Sequence, residues 1–252
     1  ALTCSTFNYL PIDIHEEPIF LGDSVSAFVY NPPKEPFLTV LYEDEAIIVV
    51  DKPSGLLSVP GRLPQNFDSI ILRIREHNPQ AQAVHRLDMD TSGIMVVAKD
   101  PQIAGILGKQ FIDKSVNKAY IAKLLGEIAP KGSVAVPLRC DLEHRPLQIV
   151  DFIQGKSALT FYERLDFNEG ISTVKLLPQT GRSHQLRVHM AYLACPILGD
   201  RFYGNEKAQA LSSRLCLHAA VLEFKHPLTK ERLRFETAAP FALNISPHAW
   251  TF

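Results

Sequence analysis

The stretch Val84-His85-Arg86-Leu87-Asp88-Met89-Asp90-Thr91-Ser92-Gly93, running on through Ile94-Met95-Val96-Val97-Ala98-Lys99, sets the frame for the whole chain. Ile94 to Ala98 is short, apolar and rich in β-branched residues, the pattern of a buried strand. Thr91, Ser92 and Gly93 ahead of it are turn formers whose side chains and backbone fix a loop. Asp88 is thus a carboxylate with a preset direction at the mouth of a buried strand, and function is to be sought there.

Outward from this strand, Leu38 to Tyr42 and Ala46 to Asp51 read as strands on either side of the acidic turn Glu43-Asp44-Glu45, and Asp68 to His77 as a helix capped by Asp68. Pro101 to about Lys114 reads as a second helix, with proline in its first turn and a stripe of Ile103, Ile106, Leu107, Gln110 and Phe111. Strands then dominate: Lys118 to Leu125, Ser157 to Leu165, Ile171 to Leu177, Leu215 to Phe224 and Glu231 to Glu236, with a helix near Ser183 to Leu193. Many strands with few, separated helices indicate an α+β domain with a mixed, mostly antiparallel sheet.

At Asp88 the chain resembles the RluA-type RNA pseudouridine synthases, whose signature is His-Arg-Leu-Asp, two variable residues, then Thr-Ser-Gly. Further similar blocks are Lys52 to Arg62, Lys118-Ala119-Tyr120-Ile121-Ala122, and Thr180 to His189, in the same order. The resemblance spans about Asn31 to Pro240, and Leu56 to Arg62 with Pro196 to Tyr203 is most similar to the small dual-specificity branch acting on tRNA and 23S rRNA. It implies the pseudouridine synthase fold with an RNA cleft across the middle of the sheet. It also implies isomerisation of uridine in structured RNA, in a tRNA anticodon loop, a 23S rRNA hairpin loop or both, with base flipping and no cofactor.

The same resemblance makes Asp88 the catalytic carboxylate, Arg187 its ion-pair partner and Tyr120 the residue that stacks on the flipped base. It places Arg86 in the space left by the extruded base, and His85, Lys52, Arg62, Arg182 and His184 on the RNA side. Read without it, each residue has a plainer role. A turn Asp caps or pairs, Arg187 lies on the surface of an amphipathic helix, and Tyr120 is a half-buried core tyrosine. Arg86 then braces its loop, Lys52 ends a strand in water, and Arg182 meets phosphate or solvent. Asp90 sits at a variable position and reads as a solvated turn residue. Lys109, Lys114, Lys118 and Lys123 form either a phosphate track or a solvated face.

The chain has 252 residues, 46% hydrophobic and 21% charged, enough for a substantial core. Its net charge of -1 does not advertise a nucleic-acid binder. Acidic residues without Lys or Arg precede Lys34, however, so the remainder carries a small positive excess. No apolar run approaches the roughly 18 residues of a membrane span, and the start lacks a secretion signal, so a cytoplasmic location is expected. Cys4, Cys140, Cys195 and Cys216 are widely separated, no HExxH occurs, and no metal, nucleotide-binding loop or obligate protein partner is implied.

Residues 1–36 are expected to be an N-terminal extension and Pro-rich linker without a complete S4 domain, and 37–252 the catalytic domain. Two rival readings stand beside this one. The Asp90-Thr91-Ser92-Gly93 run is one residue longer than an aspartic-protease loop and has no second copy to complete a dyad. A noncatalytic RNA-binding or ribosome-assembly protein would share the basic surface but not require Asp88.

Overall fold

The computed structural model describes residues 29–248, 250 and 252. Strand β4 (Ser92–Ala98) is buried along its whole length. Ile94, Val96 and Ala98 point to one side of the sheet, toward Ile103 and Leu107 of α2 (Pro101–Ile112), and Met95 and Val97 to the other, with Ile70, Ile71 and Ile74 of α1 (Ile70–Arg75). A strand covered on both faces needs a continuous apolar run rather than an alternating one.

Around β4 the sheet builds outward. On one side β2 (Ile47–Lys52) pairs antiparallel with it, followed by edge strand β1 (Val40–Glu43), while the two-residue β3 (Gln82–Ala83) pairs with the far end of β4 along its opposite edge. On the other side lies β11 (Leu217–Lys225), parallel to β4 at His218 opposite Ser92 and Ala219 opposite Gly93. Beyond β11 come β5 (Asn117–Leu125), β10 (Ile171–Pro178), β9 (Thr160–Asn168) and β6 (Lys131–Val134), all antiparallel, and β12 (Arg232–Glu236) pairs with β11. Strands β7 (Leu138–Cys140) and β8 (Gln148–Val150) form a separate hairpin. Helices α3 (Gln185–Tyr192) and α4 (Glu206–Ala210) complete an α+β fold around an open mixed sheet.

The β4–β11 joint explains the glycine of the central motif. Gly93 has φ +115°, and a Cβ there would lie 2.3 Å from the Ala219 carbonyl oxygen. Only glycine lets the two backbones approach this closely at that angle.

Three local expectations change. Asp68 does not cap α1: Ser69 is the N-cap, without a side-chain bond, and Asp68 instead holds Arg73 through Nε and Nη2. Helix α3 is not amphipathic, since every residue from Gln185 to Met190 is buried between the sheet and the loops that follow. The Pro-rich stretch is no free linker. Arg73 donates to the Pro33 and Phe37 carbonyls, and the Tyr30 hydroxyl donates to Asp68 O and accepts from Leu57 N–H. The expected N-terminal extension and the question of an S4 module otherwise lie outside the described residues.

Candidate active site

Asp88 sits in the tight turn that feeds β4, and this turn is held at every carbonyl. The Ser58 hydroxyl donates to Leu87 O at 2.7 Å, and Thr91 N–H reaches Asp88 O at 3.1 Å. Lys52 Nζ and Gly55 N–H both bind Met89 O at 2.9 Å, and the Ser54 hydroxyl binds Asp90 O at 2.7 Å. The upstream block Lys52 to Ser58 is therefore a cradle for the Asp88 loop. Satisfied buried backbone groups make such a loop stiff, since breaking any one costs a desolvated partner.

Lys52 is accordingly not an RNA contact. Its side chain is fully buried, and Nζ donates to the Pro53, Leu56 and Met89 carbonyls, so no donor remains for phosphate. Burial pushes its pKa down to about 7, against the pull of Asp88 and Asp90. Asp90 is not a free turn residue either, for Arg201 Nε lies 3.1 Å from its carboxylate.

The Asp88 carboxylate faces a cleft of about 930 Å³ between the end of α2, the start of α3 and a floor of β5. Arg86, His85, Tyr120, Arg182, His184 and Arg187 all line it. Arg62 is exposed on the loop beyond the cradle and is not among the lining residues.

Arg187 approaches Asp88, but its principal partner is another residue. Its Nε and Nη2 bind the two oxygens of Asp200 at 2.8 and 2.6 Å, and only Nη1 turns to Asp88 Oδ2, at 3.7 Å. Asp200 is buried and also accepts from Phe202 and Tyr203 N–H. The guanidinium lies against the rings of Phe202 and Tyr203, 5.1 and 5.2 Å from their centroids. Burial opposes its charge, yet the Asp200 bonds and both carboxylates hold its pKa above the ordinary arginine value. The expected simple Arg187–Asp88 pair is therefore a three-residue chain, Asp200–Arg187–Asp88. Gly199 shapes its start: a Cβ there would meet the Arg214 carbonyl oxygen at 1.9 Å, and its φ is +71°.

His184 stands in the left-handed region at the entry to α3, with Nε2 4.0 Å from Asp88 Oδ1. Its Nδ1 is 2.7 Å from the Tyr203 hydroxyl, which itself accepts Gln148 N–H. With that hydroxyl donating to Nδ1, the imidazole carries its own proton on Nε2, toward Asp88. Burial, against the pull of Asp88 and with help from Arg187 and Arg86, lowers the His184 pKa.

Tyr120 is half-buried on β5 with its ring in the cleft, and burial together with the Asp88 charge raises its pKa. His85 stacks on Phe111 at 4.6 Å and accepts Val96 N–H on Nε2. Burial drives its pKa to about 3, so it offers the cleft a neutral ring and no cation. Arg86 is exposed at the rim, and Arg182 Nε bonds Ser157 O while its side chain reaches solvent.

Asp200 and Tyr203 were not singled out by sequence as site residues. They lie past the end of α3, where no local pattern marks a carboxylate as buried.

Comparison with known proteins bears on this geometry. The family model described as RNA pseudouridylate synthase matches residues 46–192. The "Dual-specificity RNA pseudouridine synthase RluA" of Escherichia coli strain K12 is 49% identical over 214 residues, covering 84% of this chain and 98% of its own length. The protein of the same description from Haemophilus influenzae is 47% identical over the same span. Among solved structures, human RNA Pseudouridylate Synthase Domain Containing 1 superposes with a TM-score of 0.68 at 29% identity, covering 87% of this chain and 89% of its own.

Proposed function

Since the chain belongs to the RNA pseudouridylate synthase family and is an RNA pseudouridine synthase, we propose that Asp88 is its catalytic carboxylate. We assign its targets to uridines of a tRNA anticodon loop and a 23S rRNA hairpin loop. The observation that carries the catalytic reading is a carboxylate on a fully hydrogen-bonded turn, facing a cleft of about 930 Å³ with Arg187 and His184 aimed at its two oxygens. The dual-specificity description of the RluA relatives supports the pair of RNA targets, and a cytoplasmic location follows from those substrates.

In the reaction the N1–C1′ bond of uridine breaks and a C5–C1′ bond forms, while C5 loses a proton and N1 gains one. No electrons are gained or lost overall, so the chemistry calls for no redox partner. Asp88 stabilises or bonds the fragment that is released, and the walls of the cleft hold the base while it turns. Tyr120 stacks on the flipped uracil, and Arg86, at the rim, fills the vacated place in the RNA. Arg187 and His184 hold Asp88 aimed into the cleft.

The test is to map pseudouridine in cellular tRNA and 23S rRNA with and without the gene, then to restore the gene as wild type or as Asp88→Asn. Loss of specific pseudouridines that wild type restores and Asp88→Asn does not is the expected result. Restoration by Asp88→Asn would overturn the catalytic assignment, and unchanged tRNA and 23S rRNA would overturn the substrate assignment.

A further inference from the structure

Among the described residues, the buried cations are matched inside the protein. Lys52 has three carbonyls, Arg73 has Asp68, Lys175 has Glu163 and Arg187 has Asp200. Lys118 breaks this pattern. It lies in the wall of the cleft, partly buried, with no hydrogen bond and no acidic partner among the described residues. Its neighbours are the His85 ring and the turn at Gly181, where an added Cβ would lie 4.0 Å from Nζ. His85 is neutral and Gly181 has no side chain, so neither balances the ammonium.

We propose that Lys118 is the binding site for a backbone phosphate of the substrate RNA, on a nucleotide adjacent to the flipped uridine. The proposal rests on the chain's action on RNA. An ammonium withdrawn from water and left unpaired is costly, and a ligand that brings a full negative charge removes that cost. Uracil's carbonyls are neutral and do not; a phosphodiester does. Position along the strand agrees. Lys118 and Tyr120 are two apart on β5 and face the same side, about 7 Å from each other at the strand rise. That separation suits the nucleotide next to the one stacked on Tyr120. Exposed Lys114 and Arg182 flank the same stretch of the cleft and offer a path for the backbone on either side. Burial also lowers the Lys118 pKa, a loss that a bound phosphate would reverse. The other lysines of the sequence cluster do not share this place. Lys109 pairs with Asp113 in solvent, and Lys123 falls on the opposite face of β5.

The experiment uses a synthetic RNA hairpin with a loop uridine, bound to the full chain in an Asp88→Asn background so that nothing is turned over. Lys118→Met is expected to weaken binding roughly tenfold or more and to reduce the salt slope by about 0.7, one single-strand phosphate contact. Lys118→Arg is expected to recover the slope. Replacing loop phosphates one at a time by uncharged methylphosphonates should weaken the Lys118-containing protein at one position next to the uridine, and at that position leave Lys118→Met unaffected. Unchanged affinity and slope in Lys118→Met would overturn the proposal. So would weaker binding with no methylphosphonate coupled to Lys118. Turnover of the same hairpin by protein with Asp88 intact reports on the catalytic reading separately: coupling without pseudouridine formation keeps the phosphate site and removes the proposed chemistry.

Discussion

Arg187 and Asp200 form a buried bidentate pair at 2.6 and 2.8 Å, and Asp88 is reached by the guanidinium nitrogen this pair leaves over. Asp200 thus fixes the cation that orients Asp88, without itself lining the cleft.

Asp200→Ala is expected to destabilise the fold by about 3–5 kcal/mol, because it leaves a buried guanidinium without its main counter-charge. Asp200→Asn keeps the shape and removes the charge, and it should lower isomerisation even where the protein remains folded. Urea denaturation and single-turnover tritium release from C5-labelled RNA measure the two effects. An Asp200→Asn protein with full turnover would show that Arg187 holds its place without the pair.

Tyr203→Phe is expected to cost about 1 kcal/mol of stability, since the Gln148 N–H loses its acceptor. Its larger effect falls on His184, whose Nδ1 loses the hydroxyl that fixes the tautomer. Nitrogen-proton correlation spectra should show the wild-type ring protonated on Nε2 and the variant as a mixture, with saturated turnover reduced more than RNA affinity. An unchanged tautomer would refute the role assigned to Tyr203.

Gly93→Ala should be among the most damaging single-methyl additions in the chain. The new carbon would lie 2.3 Å from the Ala219 carbonyl oxygen and 2.6 Å from its amide nitrogen, with the backbone already at positive φ. A loss on the order of 4 kcal/mol or failure to fold is expected in denaturant titrations. A stable Gly93→Ala protein would contradict the parallel β4–β11 joint.

The sheet was readable in sequence wherever a strand is buried on both faces or clearly patterned: β2, β4, β5, β10 and β11 fall within one or two residues of the apolar runs that predict them. The short pieces were not. β3, β6 and the β7–β8 hairpin are two to four residues long, too short for any period, and α4 is a single turn and a half. Asp88, Tyr120, Arg187 and His184 do meet in one cleft as their motif blocks predict. The errors concern partners. A lysine after an apolar strand reads as a solvated strand end, but Lys52 is turned inward to three carbonyls, two from the turn that follows it and one from the Asp88 loop. Likewise the Arg187–Asp200 pair joins a helix to a loop 13 residues away, a relation with no local signature. Periodicity reports which face is apolar; it does not report which charge meets which.

The pH dependence of stability can be traced to His218, behind the Asp88 loop. Its Nδ1 lies 2.8 Å from the Ser92 hydroxyl and its Nε2 2.8 Å from the Thr237 hydroxyl. Arg214 donates to Ser92 Oγ, and with the Ser92 proton directed to Nδ1 the ring is neutral with its proton on Nε2. Burial and then the Arg214 charge depress its pKa to about 4, against the Thr237 bond. Between that value and the ordinary histidine value near 6.5 the unfolded chain binds the proton and the folded one does not. Stability therefore stands at its full value above about pH 6.5 and falls as the pH drops toward 4, by at most about 3 kcal/mol from this group. His85, with a pKa of about 3, adds a slope of the same sign that extends lower. Urea midpoints of wild type and His218→Gln measured from pH 4 to 7 separate the two. The variant is expected to be less stable at pH 7 and to have a shallower slope, keeping the share owed to His85, to His184 and His189, whose pKa values burial also lowers, and to the carboxylates. An unchanged slope would mean that His218 accepts its proton in the folded state, and the neutral Ser92–His218–Thr237 chain would be wrong.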